Sequence, residues 1–432
     1  VSEDEENATV TRGKRQDPEK QRRVVVTGVD AMTPLGLTME ETWQRLLKGE
    51  SGIDRITQFD ASDLPVHIAG ELKGFDPRDY IEYKEARRMA RCSTVAVATA
   101  QGALEDAGLE LPLANAERVG TLIGSGVGGY ERALEGVDTF REKGLRRVNP
   151  FVPISMLINM PSHHVSYWAG ATGPISTVVA ACATGTQAIG EAAEHIRRGA
   201  ADVMICGGVD AMIHFTLLVG FCAMRALSLR NSEPERASRP FDADRDGFVL
   251  SEGAGVFVLE GLDHARARGA RIRAEVLGHS SSSDAFHVAQ PDSEGRGASR
   301  AMEWALDDAG VSPAQVDYIN AHGSSTPISD PVETLAIKRV FQEHAHTIPI
   351  SSTKSMIGHP MGGAGAIEAA VCVRTIEDGI IHPTLNLESP DPECDLDYVP
   401  EGAREAVVNV VLSNSFGLGG QNACLVLGRF EE

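Results

Sequence analysis

The chain has 432 residues, 42% of them hydrophobic and 44 of them glycine, which fits a tightly packed α/β enzyme built from two or three domain-sized units. A formal charge of −21 argues against non-specific nucleic-acid binding, because phosphate recognition needs a concentrated positive face. No apolar run approaches the roughly 20 residues of a membrane-spanning helix, and seven cysteines without regular spacing or a CxxC pair speak against a disulfide framework and a zinc site.

Residues 1–22 mix charges with Asn, Thr, Gly and Gln in no apolar period and are expected to form a disordered extension. Their acidic start does not resemble a secretory signal, so a cytoplasmic protein with reduced thiols is expected. Order is predicted to begin at the β-branched strand Arg23-Val-Val-Val-Thr-Gly. The run Lys84-Glu-Ala-Arg-Arg-Met-Ala-Arg forms a local basic patch, followed by a helix over 93–107 and a strand over 119–124. A second basic patch, Arg141-Glu-Lys-Gly-Leu-Arg-Arg, precedes a strand over 175–180. A charge run of this kind is ordinarily solvated helix surface, yet an acidic protein partner would have to dock on such a patch. A helix over 185–198 and strands over 202–208 and 254–260 follow, then a helix over 300–309, a strand over 318–321 and a buried strand over 407–412.

The second half repeats the first. The glycine-bracketed helix Gly185–Gly199 has a counterpart of equal length in Gly365–Gly379. Val119-Gly-Thr-Leu-Ile-Gly-Ser-Gly parallels Val316-Asp-Tyr-Ile-Asn-Ala-His-Gly, each a strand that runs into a glycine loop after a helix ending in Asp-Ala-Gly. The period is too long for a solenoid and points to two α/β halves, 23–272 and 273–432, whose loops meet in one site.

Cys182 stands where the run Ser176-Thr-Val-Val-Ala-Ala gives way to a small-residue helix start, Ala183-Thr-Gly-Thr-Gln-Ala-Ile-Gly. A sharp turn there aims the sulfur at free N–H groups and the positive end of the helix dipole, an environment expected to favour thiolate. The other six cysteines read as packed small hydrophobes. His322 opens a polar turn after a strand, and His359 precedes the small-residue helix entry Pro-Met-Gly-Gly-Ala-Gly. Two neutral imidazoles beside a thiol can polarise a thioester carbonyl and stabilise developing negative charge. Lys354 needs a carboxylate partner in a dry site, and Glu333, Glu368 and Asp330 are the candidates. The glycines at 417, 419 and 420 let backbone approach a ligand closely, so amides of this loop are candidate oxyanion donors beside the Cys182 N–H.

Four motifs, Ala181-Cys-Ala-Thr-Gly-Thr-Gln-Ala-Ile-Gly, Asn320-Ala-His-Gly-Ser-Ser-Thr-Pro, Ser352-Thr-Lys-Ser-Met-Ile-Gly-His and Asn414-Ser-Phe-Gly-Leu-Gly-Gly, have the order and spacing of the β-ketoacyl-[acyl carrier protein] synthases. The chain resembles their elongating type, synthase II, from about residue 23 to residue 429. The resemblance implies a thiolase-like α/β fold of two duplicated halves in five layers, α-β-α-β-α, working as a homodimer without cofactor or metal. It implies that Cys182 carries the acyl chain as a thioester while His322 and His359 assist decarboxylation of a malonyl carrier thioester. Lys354 and Glu368 match supporting positions, and the amides of Cys182 and Phe416 are the expected oxyanion hole. Val127 and Phe221 match positions lining the acyl pocket. Leu418 stands where a gating phenylalanine is usual, Ser324 where threonine is usual and Ser329 where asparagine is usual. Family members dock an acidic acyl carrier protein, for which Lys84, Arg87, Arg88, Arg146 and Arg147 fall in the corresponding segments. A ketosynthase subunit of a dissociated polyketide system is the alternative activity, since it carries the same triad.

Overall fold

The computed structural model describes residues 22–432. Ten strands form its central sheet: β1 (Val24–Met32), β2 (Val119–Gly124), β3 (Ile175–Ser176), β4 (Val203–Asp210), β5 (Gly253–Gly261), β6 (Ala274–Ser283), β7 (Tyr318–Asn320), β8 (Ile350–Ser351), β9 (Val410–Gly417) and β10 (Gln421–Gly428). Their order is β8-β7-β9-β10-β6-β1-β5-β4-β2-β3. Read outward from the middle, β1-β5-β4-β2-β3 is matched by β6-β10-β9-β7-β8, and the parallel and antiparallel pairings match as well. In the sheet, the two sets of strands join where Val25 and Val26 of β1 meet Glu275 and Ala274 of β6. We place the boundary between them at residues 272 and 273, just ahead of β6.

Its helices include α1 (Arg91–Asp106), α2 (Tyr130–Lys143), α3 (Met160–Ala169), α4 (Thr184–Arg197), α5 (Arg296–Ala309), α6 (Ser329–Phe341) and α7 (Ala364–Asp378); α2 packs against the segments 145–147 and 152–155, and the other six form the layers. Helices α1 and α3 cover one outer face, α5 and α6 the other, and α4 and α7 lie between the two halves of the sheet, touching strands of both. Composition explains the central place of α7. It is rich in Ala, Val and Ile and buried on nearly every side, as a helix sandwiched between sheets must be. The entrances of α4 and α7 press together so closely that a Cβ on Gly185 would lie 2.6 Å from the Ala366 nitrogen. Between the sheet halves, Ile189, Ala192 and Ile196 pack with Ile367, Ala370 and Val371 into the largest apolar cluster. Among the described residues, no helix is long and apolar enough to cross a membrane.

The predicted strands and helices are present, with four differences. The buried strand expected over 407–412 begins only at Val410 and runs to Gly417, and Val407 ahead of it is 80% exposed. The run 175–180 is strand only at Ile175 and Ser176, since β3 is the sheet's last strand and has a neighbour on one side alone. The sequence reading did not identify β6 and β10, where Gly, His, Ser and Asn interrupt the apolar pattern. Residues 1–21 of the expected disordered extension lie outside the described residues. Arg22, assigned to that extension, instead bonds Asp202 at 2.9 Å.

Candidate active site

The loop ends at one edge of the sheet enclose a cleft of about 350 Å³ that Cys182, His322 and His359 all line. Each is almost fully buried, at 4%, 4% and 3% exposure. Cys182 is the second residue of a 3-10 turn, Ala181–Ala183, that leads into α4, and Ala181 holds a left-handed φ of 48°. A non-glycine residue in that region stores about 1–3 kcal/mol of strain. Here the strain lifts the sulfur off the sheet and into the apolar cluster of Phe221, Phe248, Met361 and Leu418.

His322 follows β7, where α6 supplies a carboxylate that fixes its backbone. Glu333 accepts the His322 N–H at Oε1 and the Gly323 N–H at Oε2, both at 2.8 Å. His359 is stitched to the first half of the chain, donating its N–H to the Val249 carbonyl at 2.8 Å and accepting from the Ser251 N–H at 3.1 Å. The two imidazoles lie edge to face, with centroids 5.5 Å apart, and Phe248 packs on His359 at 5.5 Å.

Lys354 opens the short helix Lys354–Ile357, and its ammonium selects one of the three candidate acids. It touches the Glu368 carboxylate, donates to the His322 carbonyl at 2.7 Å and lies 3.5 Å from His322 Nδ1. An ammonium can only donate, so the facing Nδ1 is an acceptor and the ring proton sits on Nε2. Glu333 is instead the anchor of the His322 backbone. Asp330 does not reach Lys354 either: it accepts from the Phe241 N–H at 2.9 Å and faces Arg245 at 3.7 Å.

Burial, followed by the nearby Lys354 charge, pushes both imidazoles well below their usual range, so they are neutral at physiological pH. Burial also raises the carboxyls of Glu333 and Glu368 to about 7 and that of Asp330 to about 6; the Lys354 ammonium opposes the rise at Glu368. The thiol departs from expectation. Desolvation pushes Cys182 up to about 11, outweighing the helix entrance, the Leu418 and Cys182 N–H groups and the Lys354 charge that favour thiolate. Cys182 is therefore a thiol at rest.

The same contacts bear on the expected oxyanion donors, Cys182 and Phe416. The loop amide that bonds the Cys182 sulfur is that of Leu418, alongside the Cys182 N–H itself. Phe416 lies opposite Asn422 in the β9–β10 ladder and turns its ring toward His322, 6.0 Å between centroids. Backbone reaches this close because Gly417 has no side chain; a Cβ there would lie 3.1 Å from the Cys182 nitrogen.

Leu418, Ser324 and Ser329 line the cleft. Phe221 packs edge-on against Phe248 at 5.2 Å, behind Cys182. Val127 is half-buried and does not line the cleft. Lys84, Arg87, Arg88, Arg146 and Arg147 are all exposed, and Arg88 sits 5.0 Å over the Phe151 ring, joining the two basic segments. Sequence reasoning missed the segment 284–292, which lines the cleft through Asp284, His287 and Asp292. A histidine inside an Asp- and Pro-punctuated loop was its one signal. It also missed Asp210, although an acid ending an apolar strand is a detectable mark.

Comparison with known proteins agrees with this geometry. The beta-ketoacyl synthase N-terminal domain matches residues 21–265, and the beta-ketoacyl synthase C-terminal domain matches residues 273–388. The chain belongs to the β-ketoacyl synthase family. It is 48% identical over 412 residues to 3-oxoacyl-[acyl-carrier-protein] synthase 2 of Synechocystis sp., covering 95% of this chain and 99% of that protein. Among solved structures, the ishigamide ketosynthase/chain length factor matches with a TM-score of 0.89 and 36% identity, and a type II polyketide ketosynthase in complex with its acyl-carrier protein matches with 0.87 and 33%. Each covers 95% of this chain and 100% of the matched chain.

Proposed function

We propose that the protein is an acyltransferase that condenses an acyl chain held on Cys182 with malonyl-[acyl carrier protein], releasing carbon dioxide and a 3-oxoacyl-[acyl carrier protein] two carbons longer. The observation that carries this reading is the convergence of one thiol and two neutral imidazoles, drawn from both halves of the chain, on a single buried cleft. The Cys182 sulfur loses its proton to a cleft imidazole as it attacks the acyl carrier thioester, and the carrier thiol leaves. The N–H groups of Cys182 and Leu418 receive the oxyanion. Malonyl thioester then fills the cleft, and His322 Nε2–H together with His359 hydrogen-bonds its thioester carbonyl. Loss of carbon dioxide leaves the electron pair on the α-carbon as an enolate. The enolate attacks the Cys182 acyl carbonyl, the C–S bond breaks and the sulfur regains a proton.

Lys354 and Glu368 hold the His322 segment in place, and Glu333 fixes its amides. The exposed cations Lys84, Arg87, Arg88, Arg146 and Arg147 receive the acidic carrier protein. Homodimer formation adds a second copy along β3, the open edge of the sheet, where Ile175 and Val179 are 53% and 51% exposed. Val127 and Phe221 shape the acyl pocket across that junction.

The test is mass spectrometry of the full chain after incubation with acyl carrier thioester, then with malonyl carrier thioester. Acylation on the Cys182 peptide, discharged by malonyl carrier into a product extended by one two-carbon unit, supports the proposal; acylation elsewhere, or none, rejects it. The solved polyketide ketosynthases favour a second reading, repeated condensation with a partner subunit. The higher identity to the fatty-acid-type relative weighs against it, and single extension by the chain alone decides between the two.

A further inference from the structure

Asp210 ends β4 beneath the cleft, and its side chain is fully buried. Oδ1 accepts from Ser125 Oγ at 2.6 Å and from the Val127 N–H at 3.2 Å; Oδ2 accepts from the Gly126 N–H at 3.0 Å and from the Gly362 N–H at 2.7 Å. Burial pushes this carboxyl above its ordinary range, and the four donors, three of them backbone amides, oppose the rise and occupy every acceptor position of the carboxylate form. The packing leaves no slack. A Cβ on Gly126 would lie 2.9 Å from Asp210 Oδ2, and one on Gly362 would lie 2.5 Å from the Gly126 nitrogen. Gly362 belongs to the turn between His359 and α7, whereas Ser125–Val127 is the loop that follows β2, so one carboxylate joins loops from opposite halves.

We propose that Asp210 is a positioning residue of the condensation site, a single carboxylate that sets the Ser125–Val127 loop and the turn behind His359 in register with the Cys182 turn. This inference rests on the condensation reading for its kinetic effect and stands apart from it for its electrostatic one. Asp210 and Lys354 are the charges that act on the Cys182 thiol, Asp210 disfavouring thiolate and Lys354 favouring it. His322 and His359 face the sulfur as neutral rings, and Arg225, Asp284, His287, Asp292 and Glu333 line the same cleft.

The experiment uses the full chain with Asp210→Asn, which removes the charge, and Ser125→Ala, which removes the Ser125 bond to Asp210 together with the acceptor of the Gly128 N–H and keeps the charge. Iodoacetamide labelling of Cys182 is followed by intact mass across pH, and condensation is followed with acyl and malonyl carrier thioesters. In Asp210→Asn the labelling midpoint should fall by about half a pH unit or more, while Ser125→Ala leaves it in place. Condensation kcat should fall about ten-fold or more in Asp210→Asn and about two- to five-fold in Ser125→Ala, with KM for malonyl carrier unchanged in both. An unmoved Asp210→Asn midpoint, or a kcat within about two-fold of the parent, overturns the proposal. If Asp210→Asn does not fold, a parental kcat in Ser125→Ala overturns it instead. A parent chain that labels at Cys182 without condensing ends the functional reading, and the labelling midpoints then decide the Asp210 assignment alone.

Discussion

The turn at Cys182 and the turn at Gly362 are one backbone device used twice. Each is the middle of a 3-10 turn that opens a central helix, and each follows a non-glycine residue in the left-handed region, Ala181 at 48° and Met361 at 44°. The strands beneath them also correspond. Asp210 is the last of eight residues in β4 and pairs with Gly253, while Gly417 is the last of eight in β9 and pairs with Gln421. Where Asp210 stands, its carboxylate caps the Gly362 N–H and that helix entrance is spent on structure. Where Gly417 stands, the strand contributes no side chain, and the Cys182 N–H meets only the sulfur of its own residue, leaving that entrance to the proposed oxyanion. A helix N-terminus becomes chemical when the fold declines to fill it.

The harshest way to break this comparison is Cys182→Ala, which turns the reactive turn into an inert one like its twin. Condensation should fall by at least about 10⁴-fold while circular dichroism and melting stay near the parent, because the turn and helix need only a small residue there. Gly417→Ala attacks the open entrance without touching the thiol. The new Cβ would lie 3.1 Å from the Cys182 nitrogen and 2.8 Å from the Ala180 carbonyl oxygen. Loss of one oxyanion donor should lower kcat about 10²- to 10³-fold, whereas iodoacetamide should still label Cys182. A Gly417→Ala enzyme with parental kcat would mean that the N–H does not hold the oxyanion.

The asymmetry between the two turns also explains what could be read in advance. Cys182, His322, His359 and Lys354 were visible because each sits in a small-residue turn next to a regular element, where local pattern and chemistry coincide. The duplication was visible through glycines bracketing α4 and α7. The residues alone left Glu333, Glu368 and Asp330 open and only the resemblance pointed to Glu368, since which carboxylate faces Lys354 depends on how α6 and α7 pack. The amide that bonds the Cys182 sulfur lies two residues beyond the expected donor Phe416, in a loop whose path turns on Gly419 and Gly420, both with positive φ. The rise of the Cys182 thiol to about 11 was hidden for a related reason: sequence shows the helix entrance but not the aromatic and aliphatic packing that desolvates it.

A third variant probes the support of the second-half loops. Lys354→Met leaves Glu368 without its buried partner and the His322 carbonyl without a donor. Breaking such a pair costs about 3–5 kcal/mol, so melting should drop by several degrees and condensation should fall with it. Lys354→Met with Glu368→Gln should recover part of the melting loss and none of the lost activity. Recovery of activity would reduce the lysine to a structural plug.

The pH profile sharpens the contrast between neutral rings and a neutral thiol. Both imidazoles are pushed well below their ordinary 6.5, so the folded site binds fewer protons than free histidine would as pH falls. Their contribution to stability is thus present in full above 6.5 and is lost progressively as pH falls from 6.5 toward the depressed folded value, where the rings at last take up protons. Neither ring should take up a proton as pH falls through 6.5, and a change of decarboxylation rate near 7 belongs to the Glu333 and Glu368 carboxyls that hold the His322 segment. Protonation of either ring at 6.5 or above, followed by NMR of the histidine side chains, would contradict neutral, desolvated histidines.

Leu418→Phe is the mildest test, because it separates the backbone of the open turn from its side chain. The Leu418 N–H bonds the Cys182 sulfur, and its side chain packs against the apolar cluster that holds Phe221 and Phe248. Phenylalanine keeps the amide and adds bulk at the mouth of that cluster. With the donor intact, kcat on a short acyl chain should stay within about three-fold of the parent, whereas the ratio of kcat/KM for long over short chains should fall about ten-fold. An equal loss on both chains would mean that the ring has displaced the amide, and the side chain at 418 would then belong to the oxyanion geometry rather than to the gate.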